Sequence, residues 1–290
     1  MRPCMAAIPT DPPILFRDQR FAVLDKPAGL PVHPGPRGGP NVEDFFRVLS
    51  RRKDGPWLAH RLDADTSGCL VIALRKAALI AAQAAFSEGR AEKTYWAVVS
   101  GGPLEEAGTV NAPLARRDGK AGWRIEVDPA GHRAVTDWRV LGRAEGIAWL
   151  ELRPRTGRTH QIRVHCAVLG CPIVGDPVYG AVAGIEKEKL PLPHGERETF
   201  SMRPPAPLAP LSPARSSPLA PLVPLSSLAA ALLPPPSSRP VRLHLLARAI
   251  FLPLNPPLTA TAEPPPHMRA ALTRCGWPIG GSTDINRKIS

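Results

Sequence analysis

The sequence lacks cysteine pairs and long apolar runs. Its five cysteines include no Cys-x-x-Cys pair, which argues against a disulfide framework and against a zinc ribbon. A metal site built from Cys166, Cys171, His160 and His165 is the less favoured interpretation of the thiols, and buried unligated thiols are the favoured one. No uncharged apolar run reaches the ~18 residues of a membrane span, and the N-terminal residues do not resemble a signal peptide. We therefore expect a cytoplasmic protein without a membrane segment or a bound metal.

Acidic residues are also scarce relative to basic ones. The chain has 25 Asp and Glu against 37 Lys and Arg, a formal charge of +12. A surplus of Lys and Arg steers a protein towards phosphate backbones and supplies affinity that falls as salt rises. The charge therefore favours a polyanionic partner, although charge alone does not identify one.

Proline is in excess, and its distribution indicates the domain boundaries. The chain has 37 prolines in 290 residues, and 14 of them lie between residues 185 and 240 among Pro-Leu-Ala-Pro and Ser-Ser units. That segment has no helical or strand periodicity and cannot bury enough apolar surface to offset the entropy of ordering it. We expect a disordered low-complexity insert at 185–240 within one domain formed by 14–184 and 241–276, with terminal tails at 1–13 and 277–290.

Apolar patterning outside the insert predicts many strands and few helices. A hairpin is expected over 14–26, helices over 41–52, 77–86 and 160–169, and further strands over 69–74, 94–99, 109–114, 123–127, 134–141, 147–152 and 241–254. A proline-rich loop is expected after residue 254. Many consecutive strands with few helices predict an α+β domain with a mixed, mostly antiparallel sheet and helices packed against it.

One stretch that could support chemistry is the His-Arg-Leu-Asp-Ala-Asp-Thr-Ser-Gly string at 60–68, which comes just before a predicted buried strand. A carboxylate such as Asp63, held on a short stiff loop beside Arg61, could act as a nucleophile or a general base. The alternative is an Asx-type turn, because Asp, Thr and Ser all favour such turns. Composition alone favours the turn.

A second stretch, at 153–165, reads Arg-Pro-Arg-Thr-Gly-Arg-Thr-His-Gln-Ile-Arg-Val-His and holds four arginines and two histidines without a carboxylate. Its Thr-Gly-Arg-Thr turn opens a predicted helix, where backbone donors and guanidinium groups could bind a phosphate. One of the arginines could instead pair with a buried aspartate. A solvated basic face explains the same composition equally well.

Taken together, the two strings resemble the signatures of the RluA branch of the RluA/RsuA-type pseudouridine synthase family. Those signatures are His-Arg-Leu-Asp-x-x-Thr-Ser-Gly and Thr-Gly-Arg-x-His-Gln-x-Arg-Val-His, met here at 60–68 and 156–165. The similarity extends to Val-Leu-Asp-Lys-Pro-Ala-Gly-Leu at 23–30, Lys-Thr-Tyr at 93–95 and Gly-Cys-Pro-Ile-Val-Gly-Asp-Pro-Val-Tyr-Gly at 170–180. The resemblance implies that uridine in RNA is isomerised to pseudouridine without a cofactor. We expect a structured tRNA or rRNA as the substrate and a monomer as the default oligomeric state.

The resemblance also implies roles for individual residues. Asp63 is the catalytic aspartate, which attacks C1′ or abstracts a sugar proton, and Arg163 pairs with it through a bidentate contact. Tyr95 stacks under the target uracil, with a less firmly expected part in removing the proton from C5. Arg61 fills the gap that the flipped nucleotide leaves. The residues expected to bind RNA are Arg61, Arg155, Arg158 and His160.

Two other interpretations remain open at this point. The chain could be a catalytically inactive RNA-binding protein or RNA chaperone that keeps the fold, although its intact Asp63 and Arg163 argue against this. It could also be a hydrolytic nucleosidase that uses Asp63 on free nucleotides. The nucleosidase should be indifferent to salt, whereas an enzyme acting on a polyanion should weaken as salt rises.

Overall fold

The computed structural model describes residues 11–35, 38–119, 122–180 and 241–278. The predicted insert at 185–240 lies outside these residues, as does most of each predicted tail. Twelve strands are found in the described part of the chain: β1 Ile14–Arg17, β2 Phe21–Lys26, β3 Trp57–Leu58, β4 Ser67–Ala73, β5 Glu92–Ser100, β6 Ala107–Asn111, β7 Leu114–Gly119, β8 Gly122–Val127, β9 Val135–Ala144, β10 Ile147–Pro154, β11 Leu245–Leu252 and β12 Leu258–Thr261.

Ten of these strands form one sheet in the order β1-β2-β4-β11-β5-β10-β9-β6, with β3 paired to β4 and β12 paired to β11. Among the described strands, only β11 and β4 pair in parallel. Strands β7 and β8 form a separate antiparallel hairpin. The predicted α+β class with a mixed, mostly antiparallel sheet is confirmed.

The late strand β11 lies at the centre of the sheet and joins its two halves. Leu246 pairs with Ser67 of β4 on one side and with Trp96 of β5 on the other. Gly68 allows this close approach, because a Cβ atom at that position would overlap the carbonyl oxygen of Ala247, and its φ of +104° disfavours any L side chain. The pairing of β4 with β11 therefore requires a glycine at position 68 of the 60–68 string.

The helices cover both faces of the sheet. A 3₁₀ helix at Val42–Phe45 continues as α1 (Phe46–Leu49), followed by α2 (Lys76–Ser87), α3 (Gln161–Val168) and α4 (Pro266–Arg274). Buried residues of α2 and α4 share one apolar cluster with alternate residues of β4 and β5. The other face packs against α3 in one cluster and against the loop after β2 in another, so both sheet faces are buried.

Four predicted elements differ from the structure. The strand predicted over 109–114 spans the end of β6 and the start of β7, which are separate strands. The helix predicted over 41–52 stops at Leu49, because Ser50 takes an extended conformation and the residues after it are exposed. The strand predicted over 241–254 begins only at Leu245, and Val241 is exposed. The loop predicted after residue 254 contains β12 and α4, whose first residue is the proline that the N1 position of a helix tolerates.

Two positions in the sheet carry a steric or an electrostatic constraint. Gly142 of β9 lies so close to the end of α4 that a Cβ atom there would overlap the carbonyl oxygen of Cys275. Asp25 of β2 is largely buried, and this burial together with the nearby charge of Glu263 raises its pKa to about 6.

Candidate active site

The loop that carries Asp63 is fixed by a buried lysine at the end of β2. Lys26 is fully buried, and its Nζ donates hydrogen bonds to Ala64 O (2.7 Å) and to two carbonyls of the Pro-Ala-Gly-Leu turn that follows it. Gly29 N also donates to Ala64 O at 2.9 Å. The turn after β2 and the loop before β4 are therefore joined directly beside Asp63.

The electrostatics of Lys26 depend on the same loop. Burial lowers the pKa of this lysine to about 7, while the negative charges of Asp65 and Asp63 raise it. Burial makes the charge of Lys26 energetically costly, and the two carboxylates and three carbonyls around the lysine offset that cost. The stability of the charged lysine therefore depends on the conformation of the loop.

His60 anchors the beginning of the loop. Its Nε2 accepts a hydrogen bond from Val71 N at 3.1 Å, and its ring lies 5.0 Å from that of Phe86. Burial lowers the pKa of His60 to about 4, so the ring is neutral near pH 7 and can accept this bond. The loop is therefore held at both ends, with Asp63 between.

Helix α3 brings two nitrogen-bearing side chains to the Asp63 carboxylate. Arg163 Nη1 lies 3.6 Å from Asp63 Oδ2, and His160 Nε2 lies 3.9 Å from the same oxygen. The guanidinium is buried, with 4% of the side chain exposed, whereas 26% of the Asp63 side chain is exposed. The carboxylate therefore faces solvent on one side and a buried cation on the other.

Arg163 lies within ion-pair distance of Asp63, but the bidentate contact expected between them is not found. Arg163 makes its bidentate contact with Asp176, at 2.7 and 2.8 Å. The Asp176 side chain is fully buried and also accepts hydrogen bonds from Val178 N and Tyr179 N. Although burial opposes it, the Arg163 hydrogen bonds and charge and these backbone donors lower the pKa of Asp176. Asp176 is thus the buried counterion that fixes the arginine.

His160 takes an unusual backbone conformation that aims its ring at the site. It is the only residue other than glycine with a positive φ (53°) in the described part of the chain, directly before α3. The Tyr179 hydroxyl accepts from Ile125 N at 3.0 Å and lies 2.9 Å from His160 Nδ1. Burial lowers the pKa of His160. If the neutral ring accepts a hydrogen bond from the Tyr179 hydroxyl at Nδ1, its own proton is on Nε2, which faces Asp63.

Two other polar residues of α3 are structural. Gln161 is buried, accepts from Arg158 N and Thr156 Oγ1, and donates to Val135 O. His165 is buried and bonds through its two ring nitrogens to Thr136 Oγ1 and to a backbone carbonyl. These contacts fix the Thr-Gly-Arg turn and the helix to β9.

Tyr95 of β5 packs on the same face of the sheet, between the two apolar clusters that flank the site. Burial first, and then the charges of Asp63 and Cys69, raise the pKa of Tyr95. The phenolate is therefore strongly disfavoured near neutral pH, so the ring suits packing better than proton removal.

The residues expected to bind RNA occupy different surroundings. Arg61 is exposed on the Asp63 loop. Arg155 is engaged by Asp137 at 2.6 and 2.9 Å, and Arg158 is exposed and donates through Nε to a backbone carbonyl. His160 faces Asp63 and is mostly buried. The structure thus brings Asp63, Tyr95, Arg163 and His160 together and leaves Arg155 in a separate ion pair. The catalytic and RNA-binding roles of these residues stay predictions.

The sequence reasoning missed three residues of this site, namely Lys26, Asp176 and Tyr179. Each lies inside a string quoted for the resemblance, at 23–30 or at 170–180, so the signal was present. A fourth residue, Trp123 of β8, stacks on His160 with 5.2 Å between ring centroids. No sequence pattern places these two aromatic rings together.

Neither a metal-binding cluster nor a membrane-spanning helix is found in the described residues. No group of three or more His, Cys, Asp and Glu side chains there is placed to hold a metal ion. Cys166 and Cys171 are buried, and burial raises the pKa of both thiols. No helix in these ranges is long and apolar enough to cross a membrane.

Comparison with known proteins identifies relatives of the chain. An uncharacterized RNA pseudouridine synthase of Zymomonas mobilis is 44% identical over 171 residues, which cover 58% of this chain and 78% of that protein. Ribosomal large subunit pseudouridine synthase D of Xanthomonas campestris is 40% identical, with 67% of this chain and 58% of that protein covered. An uncharacterized RNA pseudouridine synthase of Synechocystis is matched over 55% of its length. The chain thus spans little more than half of the latter two relatives.

Solved structures agree with the sequence relatives. The human RNA pseudouridylate synthase domain containing 4 superposes with a TM-score of 0.61 at 26% identity, covering 90% of this chain and 92% of that one. Residues 20–168 match the family model described as RNA pseudouridylate synthase. This range includes Asp63, Tyr95 and Arg163, and it confirms the resemblance found in the sequence. The chain therefore belongs to the RNA pseudouridylate synthase family.

Proposed function

We propose that this protein isomerises uridine to pseudouridine in RNA, with Asp63 as the catalytic carboxylate. The observation that carries the proposal is the position of that carboxylate: it is partly exposed on a loop held by Lys26, and it lies 3.6 Å from a buried guanidinium. A reacting sugar could approach the exposed side while Arg163 stabilises the negative charge from behind.

The reaction rearranges one nucleotide. The bond from C1′ to N1 breaks, the uracil rotates, a bond from C1′ to C5 forms, C5 loses a proton and N1 gains one. Asp63 either attacks C1′ or removes a sugar proton, and both routes loosen the base. Because the product is an isomer of the substrate, no oxidant or group donor enters, and we propose that no cofactor takes part.

The proposed substrate is a uridine in structured tRNA or rRNA. The net charge of +12 fits a polyanion, and the Xanthomonas campestris relative is named a ribosomal large subunit pseudouridine synthase. A uridine inside folded RNA must leave its stack to reach Asp63. We propose that the exposed Arg61 fills the resulting gap and that the Tyr95 ring packs against the extruded uracil.

The test is to incubate the purified protein with total RNA from a strain that lacks the gene and to map pseudouridines by carbodiimide-arrest primer extension. Wild type is expected to create at least one new stop, and Asp63→Asn none. Asp65→Asn, which neutralises a carboxylate two residues further along the same loop, is the matched control and should keep the stop.

Two outcomes would contradict the proposal. An Asp63→Asn protein as active as wild type would remove the proposed catalytic role. RNA binding by wild type with no pseudouridine across total tRNA and rRNA would favour the inactive RNA-binding protein instead. Salt gives a further control, because the affinity for RNA should weaken as ionic strength rises.

A further inference from the structure

An exposed tryptophan lies beside the site and is not used by the reaction. Trp123 is the second residue of β8 in the β7–β8 hairpin, and 45% of its surface is exposed. Tryptophan is highly buried on average, and its large ring with a polar N–H is enriched at interfaces. Its neighbour on the same hairpin face, Ile125, is buried against α3, so the hairpin is fixed at one end and presents the indole at the other.

The indole belongs to a continuous stack that starts at the catalytic carboxylate. His160 Nε2 lies 3.9 Å from Asp63 Oδ2, and the His160 ring is stacked on Trp123 with 27° between ring planes. The Arg116 guanidinium lies over the indole, 5.1 Å from its centroid. One side chain, that of His160, thus separates the indole from the Asp63 carboxylate.

The surroundings of the indole suit RNA better than an apolar partner. Three arginines of the hairpin have exposed guanidinium groups, each paired with a carboxylate. Arg116 pairs with Asp118 at 2.9 Å, and both side chains are more than half exposed. Exposed ion pairs of this kind contribute about 0–1 kcal/mol, so a phosphate or a base can displace them at little cost. The arginines of this group are Arg116, Arg117 and Arg124.

We propose that Trp123 forms a stacking site for a nucleobase that neighbours the target uridine. The proposal rests on the proposed function, since it takes RNA as the ligand. With the uridine sugar at Asp63, the indole is one ring away, which is the reach of an adjacent nucleotide rather than of the uracil itself. The Arg116 guanidinium occupies the indole in the free protein and moves to the RNA backbone when a base stacks there.

The test measures RNA affinity separately from catalysis. A fluorescein-labelled RNA stem-loop with an all-uridine loop is titrated by fluorescence anisotropy into Asp63→Asn protein, which cannot turn the RNA over. Trp123→Ala, Trp123→Phe and Trp123→Leu are then added to that background. Leu104→Ala is the matched control, because Leu104 is 94% exposed on a different loop.

The expected result is a rise in Kd of roughly 5- to 100-fold for Trp123→Ala, the effect of losing one stacked base. Trp123→Phe should stay within about threefold of its parent because it keeps a π face. Trp123→Leu should behave like Trp123→Ala, and Leu104→Ala should bind like its parent. Thermal unfolding of each variant checks that the hairpin change leaves the domain folded.

Three results would overturn the stacking site: a Trp123→Ala Kd within twofold of the parent, equal affinities for the Phe and Leu variants, or no binding of the stem-loop by the parent. Pseudouridine mapping with wild type is a separate measurement. New pseudouridine without an effect of Trp123 on affinity would rule out the stacking site and keep the proposed function. An effect of Trp123 on affinity without new pseudouridine would keep the stacking site and rule out the proposed function.

Discussion

Replacing Asp176 with asparagine is expected to destabilise the protein strongly. The change removes the charge that balances Arg163 while keeping the shape of the side chain, and 4% and 0% of these two side chains are exposed. Removing one partner of a buried ion pair leaves an uncompensated charge and costs about 3–5 kcal/mol. The asparagine oxygen can still accept from Tyr179 N, so we expect a loss near the lower end, about 3 kcal/mol.

The assay is urea unfolding at neutral pH followed by circular dichroism. Asp137→Asn is the matched control, because Asp137 also makes a bidentate contact with an arginine, Arg155, but 33% and 55% of the two side chains are exposed. That variant should lose only about 0–1 kcal/mol. Equal losses below about 1 kcal/mol for both variants would refute the argument that burial sets the cost.

The pH dependence gives a second check on the same pair. The folded state holds the pKa of Asp176 below its ordinary value. Its charge therefore adds stability that is complete above the unfolded pKa of about 3.9 and is lost as pH falls through the folded pKa. The difference between wild type and Asp176→Asn should shrink in that acidic range. A constant difference would show that packing, rather than charge, causes the loss.

Three further perturbations test the rest of the fold and site. Lys26→Met removes the donor that fixes the Asp63 loop, so the single-turnover isomerisation rate should fall at least about tenfold; an unchanged rate in a folded variant contradicts this. Asp25→Asn should stabilise the protein by about 1–3 kcal/mol at pH 7.5 and by little near pH 4, because a carboxyl pKa raised to about 6 costs stability that begins above the unfolded pKa of about 3.9 and is complete above about pH 6; thermal melts at both pH values decide. Gly142→Ala should lose about 1–3 kcal/mol in urea unfolding, since its Cβ overlaps a backbone oxygen, whereas Gly157→Ala, which meets nothing closer than 3.7 Å, should be tolerated; equal losses contradict the steric reason.

Buried strands and helices were predictable because their apolar pattern is strong. Strand β4 is buried at every position and α2 has the expected apolar spacing, so both match their predicted positions to within about two residues. Strand β7, with the sequence Leu-Ala-Arg-Arg-Asp-Gly, has no such pattern because most of it is exposed. Helix α4 follows a run of prolines that favours a loop, and its prolines lie at the helix start instead.

The site was predictable in its motifs but not in its contacts. Asp63 and Arg163 stand out because their strings match a family, and both lie where α3 meets the Asp63 loop. The partner of Arg163 depends on which carboxylate the turn after α3 brings to the guanidinium, and no spacing rule gives that. The stack of Trp123 on His160 depends on a positive φ and on a hairpin placed by tertiary packing, so local sequence does not encode it.

The use of Asp176 as the close counterion leaves Asp63 near a cation with its oxygens available, as its proposed catalytic role requires. If Arg163 made its bidentate contact with Asp63, both carboxylate oxygens would be occupied and aimed away from the sugar. The buried Asp176 takes that contact instead, at 2.7 and 2.8 Å, and holds the guanidinium rigid. One nitrogen then faces Asp63 at 3.6 Å, a separation at which the charge still stabilises the carboxylate while its oxygens stay available. If Asp63 has the proposed catalytic role, the buried Asp176 should govern stability and the partly exposed Asp63 the reaction.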